Sequence, residues 1–123
     1  MTVLIEGKRP GAFLLSEATG QRARENITLA AGAGIVAPGS VLGKVTATGK
    51  YLVSAVGATD GSQTPAAINI YGADASTTDA EVSAIVRDAE VNGNCLTYHA
   101  DRDQPAEKAA AITALRGLGI IVR

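Results

Sequence analysis

Residues 45–56, VTATGKYLVSAV, decide the fold class of this chain. Thr48, Gly49 and Lys50 separate two β-prone runs, which is the pattern of a tight turn between antiparallel strands. The β-branched and aromatic side chains on both sides of the turn favour strands over a helix. The segment therefore predicts a β-hairpin.

The segments on either side of this hairpin continue the β pattern. NITLA (residues 26–30) is short and alternating, and Pro38-Gly39 predicts a turn before the apolar run VLGKV. Downstream, Asp60-Gly61 predicts another turn, and AAINIYG places Ile68 and Ile70 on one face of a strand. Further strands are predicted at residues 82–87, 95–100 and 119–122.

One helix is predicted near the C-terminal end, in DRDQPAEKAAAITALRGLG (residues 101–119). Asp103 is its predicted N-cap, Pro105 fits its first turn, and Gly117 is predicted to end it in the left-handed conformation. An apolar face with a spacing of three is predicted to pack on a sheet. The members of this face are Ala109, Ile112 and Leu115. The predicted fold class is mainly β with one C-terminal α-helix.

The segment before these strands has a different amino-acid composition. Residues 1–25 mix glycine, proline and charge around the apolar triplet Phe13, Leu14 and Leu15. We interpret residues 1–25 as a flexible N-terminal arm and residues 26–123 as the β-rich domain. The alternative is that the triplet packs on its own domain as a first strand.

Composition limits the classes of protein to which the chain can belong. Its 123 residues are enough for one domain, and 46% of them are hydrophobic while only 3% are aromatic, which predicts a thin aliphatic core and favours oligomerisation. A net charge of −1 offers no electrostatic attraction for nucleic acid or an anionic membrane. No apolar run approaches the roughly 18 residues of a membrane span, and no secretory signal is predicted. A single cysteine predicts folding in a reducing cytoplasm.

Cys95 and His99 are the only residues of their kinds, which makes them the first candidates for catalysis or metal binding. In a strand their spacing of four leaves them about 13 Å apart, too far for a nucleophile and its base. A zinc site needs three or four protein ligands, and this pair supplies two. We therefore expect a structural cysteine and a surface histidine.

The remaining polar motifs also predict no chemistry. Acidic residues occur at 74–81, 88–90 and 101–103, in the Ser, Thr, Asn and Gly contexts of exposed turns and caps. Gly43-Lys44 resembles the end of a phosphate-binding loop, but a β pattern follows it instead of a Ser or Thr that opens a helix. We predict no catalytic, cofactor-binding or metal site.

Five segments, in this order, resemble the head decoration protein family of tailed bacteriophages, and they span most of the chain from about Gly11 to Arg123. They are FLLSEATGQRARENIT (residues 13–28), VLGKVTATGKY (41–51), ATDGSQTPAAI (58–68), IVRDAEVN (85–92) and KAAAITALRGLGIIVR (108–123). The resemblance implies a β-clip type of fold, assembled as a homotrimer that has no enzymatic activity and no cofactor.

The resemblance also implies a place and a partner. Members of the family sit on the outside of the expanded capsid at threefold and quasi-threefold positions, where trimers clamp neighbouring major capsid protein subunits against the pressure of packaged DNA. The protein is then expected in the virion, on the capsid exterior, after synthesis in the cytoplasm of the bacterial host.

For the apolar triplet, the resemblance implies a docking role. An N-terminal arm of the family adds a strand to the capsid protein, which is a common way for an extended peptide to bind a sheet edge. The capsid-binding residues expected here are Phe13, Leu14, Leu15, Ser16 and Glu17. Two other classes stay open at this point: another oligomeric virion module, such as a tail component, and a hydrolase on a β-clip scaffold.

Overall fold

The computed structural model describes residue 3 and residues 6–123. Within these residues the chain is mainly β with one helix near its C-terminal end, as predicted. The strands are β1 Leu14–Glu17, β2 Arg24–Leu29, β3 Gly34–Val36, β4 Val41–Lys44, β5 Tyr51–Val53, β6 Pro65–Asn69, β7 Ala73–Ala75, β8 Ala80–Ile85, β9 Ala89–Val91 and β10 Ile120–Val122. A 3-10 turn at Gly93–Cys95 and helix α1, Pro105–Arg116, lie between β9 and β10.

The hairpin turn that the sequence predicts at residues 48–50 lies in a small closed barrel, but the strand before it ends at Lys44, so residues 45–47 belong to the connection and not to a strand. Strands β4 and β5 are antiparallel, with Lys44 opposite Tyr51, and Gly49 in the turn between them has a φ of 73°. The barrel closes in the order β2, β5, β4, β6, β8. Because β8 pairs with both β6 and β2, the five strands lie side by side in a closed ring, and the barrel has no free sheet edge.

Neighbouring residues of the barrel strands face two different hydrophobic cores. In β4, Leu42 packs inside the barrel while Val41 packs on the opposite side, and in β6 the same division separates Ala67 from Ile68. All four side chains are buried. The period of two in a strand accounts for this division, and it explains why β4 and β6 are apolar on both faces.

The outer core is the cluster on the outside of the barrel that includes Val41 and Ile68. A second layer of the fold covers it. Strands β1, β9 and β10 form a three-stranded sheet in which β1 and β9 are antiparallel and β9 and β10 are parallel. This sheet and α1 contribute Val91, Leu115 and Ile120 to the outer core. The C-terminal helix and closing strand therefore hold the second layer on the barrel.

The ends of α1 differ from the sequence-based prediction. Pro105 lies in the first turn of the helix, as predicted, but the helix begins one residue later than the predicted cap implies. Its N-cap is Gln104, which makes no side-chain capping hydrogen bond. The prediction of Asp103 as the cap was wrong because the carbonyl of Gln104 accepts the first helical hydrogen bonds. Gly117 is the C-cap but has a right-handed φ of −61°, and the left-handed residue is Gly119, with φ 84°.

The buried face of α1 also differs from the prediction. Ala111 and Leu115, one turn apart, are fully buried, whereas Ala109 is exposed and Ile112 is only half-buried. Because a helix has 3.6 residues per turn, residues spaced by three move progressively away from one face of the helix. The spacing of four between Ala111 and Leu115 keeps both side chains on the face that contacts the sheet. No helix in the described part of the chain has the length and hydropathy of a membrane span.

Two segments have a different local structure from the one predicted. Residues 95–100 form the end of the 3-10 turn and a single parallel bridge between Ser40 and Thr97, where a short strand was predicted. The predicted boundary between residues 25 and 26 falls inside β2, and both Phe13 and Ala23 are buried. Phe13 and Ala23 therefore pack in the same core as residues of β4, β6 and β9.

Candidate capsid-docking surface

β1 is an edge strand. Among the described residues it pairs only with β9, with Leu14 opposite Val91 and Glu17 opposite Ala89, and the register shifts between Leu14 and Ser16. The other side of the strand has no β partner in this part of the chain. An unpaired edge presents backbone N–H and C=O groups that another strand can bind.

Phe13 anchors this strand to its own domain. Its side chain is 1% exposed and lies in the outer core, close to the backbone of Gly39. Its carbonyl accepts a hydrogen bond of 2.7 Å from the backbone N–H of Asn92. Of the two interpretations of the apolar triplet, the placement of Phe13 agrees with the one in which the triplet begins the domain's first strand.

The other predicted docking residues differ in exposure. Leu15 is 53% exposed and Ser16 is also exposed, whereas Leu14 and Glu17 are half-buried. Leu14 packs against the outer core beside Phe13. The side chains that β1 offers to a partner are therefore those of Leu15 and Ser16.

The end of β1 is held to β2 by an ion pair. The Arg24 guanidinium donates to both carboxylate oxygens of Glu17, from Nε to Oε2 at 2.8 Å and from Nη2 to Oε1 at 2.8 Å. This bidentate geometry lowers the pKa of Glu17 below its ordinary value of 4.5 and raises the pKa of Arg24. A polar groove of about 480 Å³ lies beside the pair. It is lined by Glu17, Gly20, Gln21, Arg24, Glu25, Asn26 and Ser83.

The described residues before Phe13 lie on the surface. Residues 6–10 are all exposed, and Lys8 donates to the carbonyl of Cys95 and to the hydroxyl of Thr97. The N–H of Gly11 donates to the carbonyl of Ile70 at 3.2 Å. This segment leads along the surface into β1 and contributes no side chain to either core.

A second exposed apolar feature lies on the ribbon formed by β3 and β7. Ile35 is 83% exposed and stands opposite Asp74, while its neighbour Val36 is fully buried against the barrel core. Single exposed apolar side chains are common on protein surfaces. Ile35 has the highest exposed fraction of the large apolar side chains among the described residues, and on that ground it is the second candidate contact residue.

Cys95 and His99 do not form a site together. His99 Nδ1 lies 3.0 Å from Asp101 Oδ1, and the Asp101 carboxylate accepts hydrogen bonds from the backbone N–H groups of Val56 and Gly57. These backbone donors, with the nearby His99, lower the pKa of Asp101. Asp101 thus fastens the loop around Val56 to the segment before α1.

Two acidic residues that the sequence assigned to turns differ in their contacts. Asp74 accepts from the hydroxyl and N–H of Ser76, which is a local turn contact, whereas Asp79 accepts from the distant Lys50 and from the N–H of Ala31. These contacts lower the pKa of both carboxyls. Within the described residues, no group of three or more His, Cys, Asp and Glu side chains is placed to hold a metal ion.

Sequence reasoning missed one buried charged residue. Arg102 is 5% exposed and donates to the carbonyl and hydroxyl of Ser54 and to the carbonyls of Gln63 and Glu107. It joins the loops around residues 54 and 63 to the start of α1. Nothing in its sequence context, Asp-Arg-Asp, distinguishes it from a solvated charge.

A family model described as "Bacteriophage lambda head decoration protein D" matches residues 3–120. The chain belongs to this family. The match confirms the resemblance found in the sequence, and it includes β1, the exposed segment before it and the first residue of β10. A search of the curated proteins finds no significant match.

Membership in the head decoration family gives the chain its general role. It is a phage head decoration protein, a structural component of the virion capsid. The small β-barrel fits the β-clip type of fold that the resemblance implies. The family is a structural one and is not known for enzymatic activity.

Proposed function

We propose that this chain forms homotrimers that bind the outside of the expanded capsid at its threefold and quasi-threefold positions. There each trimer clamps neighbouring major capsid protein subunits against the pressure of packaged DNA. The observation that carries this proposal is the family match over residues 3–120, which includes both layers of the fold. Synthesis in the host cytoplasm belongs to the same proposal.

The open edge of β1 is the proposed capsid-docking site. An extended segment of the capsid protein pairs with the backbone of β1 and covers Leu15 and Ser16, which are the exposed side chains of that strand. Leu14 and Glu17 border the contact, and Phe13 supports it from inside the domain. The Glu17–Arg24 pair fixes the end of the strand beside the polar groove.

The energy of such a contact is small for one copy and large for three. Covering the exposed half of Leu15 contributes at most about 1–2 kcal/mol. Because Phe13 and β9 already order β1, most of the cost of about 1–2 kcal/mol per residue for ordering a strand is avoided on this side of the interface. Three linked edges on one trimer then raise a weak contact to a firm attachment.

The exposed Ile35 supports a contact between copies of the chain. A trimer with threefold symmetry needs a surface that packs against a different surface of its neighbour. An isoleucine that is 83% exposed on a ribbon packed against the barrel is suited to fill an apolar recess on the adjacent copy. We assign Ile35 to this contact and Leu15 to the capsid.

Co-sedimentation with DNA-free expanded capsids tests the docking site. We expect the unmodified protein to sediment with capsids and Leu15→Asp to stay in the supernatant, because a charged side chain on the docking edge cannot be buried without a partner. Leu118→Asp is the matched control, since Leu118 is another partly exposed leucine (37%) outside β1. Retention of Leu15→Asp on capsids would remove β1 from the interface.

Light scattering tests the trimer separately. The unmodified protein should have the mass of three chains at tens of micromolar, and Ile35→Asp should lower that mass without unfolding the chain. A stable monomer of the unmodified protein would contradict the trimer, whether or not it sediments with capsids. The two assays therefore separate failure of assembly from failure of docking.

A further inference from the structure

Asn92 and Gly93 form the only Asn-Gly pair in the sequence. An asparagine before glycine deamidates faster than before any other residue, because glycine has no side chain to obstruct attack by its backbone nitrogen. We propose that Asn92 is a deamidation site that β10 keeps closed, and that release of β10 opens it.

Three hydrogen bonds hold the pair in an unreactive geometry. The N–H of Gly93, whose nitrogen would be the attacking atom, donates to the carbonyl of Arg123 at 3.0 Å. The carboxamide oxygen of Asn92 accepts from the N–H of Asn94 at 3.0 Å. The backbone N–H of Asn92 donates to the carbonyl of Phe13 at 2.7 Å. Both the attacking nitrogen and the carboxamide it would attack are therefore already engaged.

Packing against the end of β10 explains why glycine occupies position 93. A Cβ added to Gly93 would lie 2.9 Å from Cγ1 of Val122 and 3.2 Å from the carbonyl oxygen of Arg123. Any larger residue would push the segment after β10 away from the sheet. The same contact that requires the reactive dipeptide also restrains it.

The reaction needs no component other than water. The Gly93 nitrogen attacks Cγ of Asn92 and loses its proton, the Cγ–Nδ2 bond breaks, and ammonia leaves with that proton. The resulting succinimide ring is hydrolysed by one water molecule at either carbonyl. The products are aspartate or isoaspartate at position 92.

The position of Asn92 makes the product structurally important. Asn92 caps the 3-10 turn and donates its backbone N–H to Phe13, the residue before β1. The first residue of the same turn, Gly93, donates to Arg123, the residue after β10. Isoaspartate places an extra methylene in the main chain at this junction, so the hydrogen bonds to Phe13 and Arg123 cannot both keep their geometry. A transient release of β10 would then leave a permanent change in the three-stranded sheet.

Mass spectrometry of proteolytic peptides measures the modification. The unmodified chain, incubated at mildly alkaline pH, is compared in buffer and in concentrated urea. We expect deamidation at Asn92 to be at least about tenfold slower in buffer, which corresponds to about 1.4 kcal/mol of opening free energy. Asn94, which precedes Cys95, is the internal reference because its peptide contains the same amide chemistry without a following glycine.

Two changes at residue 123 test the role of β10. A chain that stops at Val122 loses the carbonyl that binds Gly93, and we expect it to deamidate several-fold faster at Asn92 in buffer. Arg123→Ala keeps that carbonyl and loses only the side chain that pairs with Glu90, so it should deamidate at the unmodified rate. If the shortened chain does not fold, Val122→Ala takes its place, since it loosens the packing over Gly93 and keeps every backbone group.

Equal rates in buffer and urea would overturn the proposal, since the fold would then give no protection. Equal rates in the folded shortened chain and Arg123→Ala would also overturn it, since the Arg123 carbonyl would have no effect on Gly93. An unchanged rate in Val122→Ala has the same consequence where that variant is used.

Discussion

Replacing Phe13 with alanine should destabilise the domain, although Phe13 lies in a segment with the composition of a loose leader. The side chain is 1% exposed and is one of the largest fully buried side chains of the described structure. Loss of a buried phenylalanine costs about 3–5 kcal/mol, which is a large part of the roughly 5–15 kcal/mol that stabilise a typical domain. Phe13→Ala should therefore unfold at a much lower urea concentration than the unmodified chain.

Urea unfolding followed by circular dichroism measures this effect at one fixed protein concentration, because a trimer's stability depends on concentration. Leu15→Ala is the matched control: it also removes an apolar side chain near β1, but one that is 53% exposed, and it should change stability by less than about 1 kcal/mol. Deletion of residues 1–16, which the arm interpretation expects to leave stability almost unchanged, removes Phe13 and most of β1 and should destabilise as well. If Phe13→Ala and Leu15→Ala cost the same small amount, the packing of Phe13 described above is refuted.

Gly43→Ala should destabilise by about 3 kcal/mol in the same urea assay, because a Cβ at Gly43 would overlap the backbone carbonyl of Ser62, and an unchanged midpoint would mean that this contact is absent. Gln104→Ser should raise stability by about 0.5–1 kcal/mol by supplying the missing N-cap of α1, and a lower stability would contradict the cap assignment. The Glu17–Arg24 pair should stabilise the fold above pH 4.5 and lose this effect as pH falls through the lowered pKa of Glu17. Thermal melting from neutral to acid pH measures the stability difference between the unmodified chain and Glu17→Gln. This difference should shrink as pH falls below 4.5, and a difference that stays constant would contradict the stabilising role of the pair.

The sequence predicted those elements whose signals are local. The turn at Gly49, the place of Pro105 in the first turn of α1 and the shared burial of Ile68 and Ile70 depend on residues within a few positions of each other. The structure confirms all three. Gly117 was correctly placed at the end of the helix, but the left-handed conformation predicted for it occurs at Gly119. The backbone conformation here depends on how residues 117–119 connect α1 to β10, and the local sequence contains little information on that connection.

The features that the sequence did not predict depend on distant partners. Phe13 is buried because β9 and the segment at Gly39 lie over it, and nothing in GKRPGAFLLSE indicates those neighbours. Arg102 is buried because it finds carbonyl acceptors at Ser54 and Gln63, about 40–50 positions earlier in the chain. For the candidate site, the sequence singled out the apolar triplet but favoured a flexible arm over a first strand. It could not separate the buried Phe13 from the exposed Leu15.

Capsid binding by the intact protein is the most direct test of the central claim, that this head decoration family member attaches to the outside of the expanded capsid through β1. Purified protein is mixed with DNA-free expanded capsids and with unexpanded ones, and bound protein is counted per capsid after sedimentation. The account predicts saturable binding to expanded capsids, three chains at each threefold or quasi-threefold position, and its loss in Leu15→Asp but not in Leu118→Asp. Absence of binding to expanded capsids, or equal binding by Leu15→Asp, would contradict it.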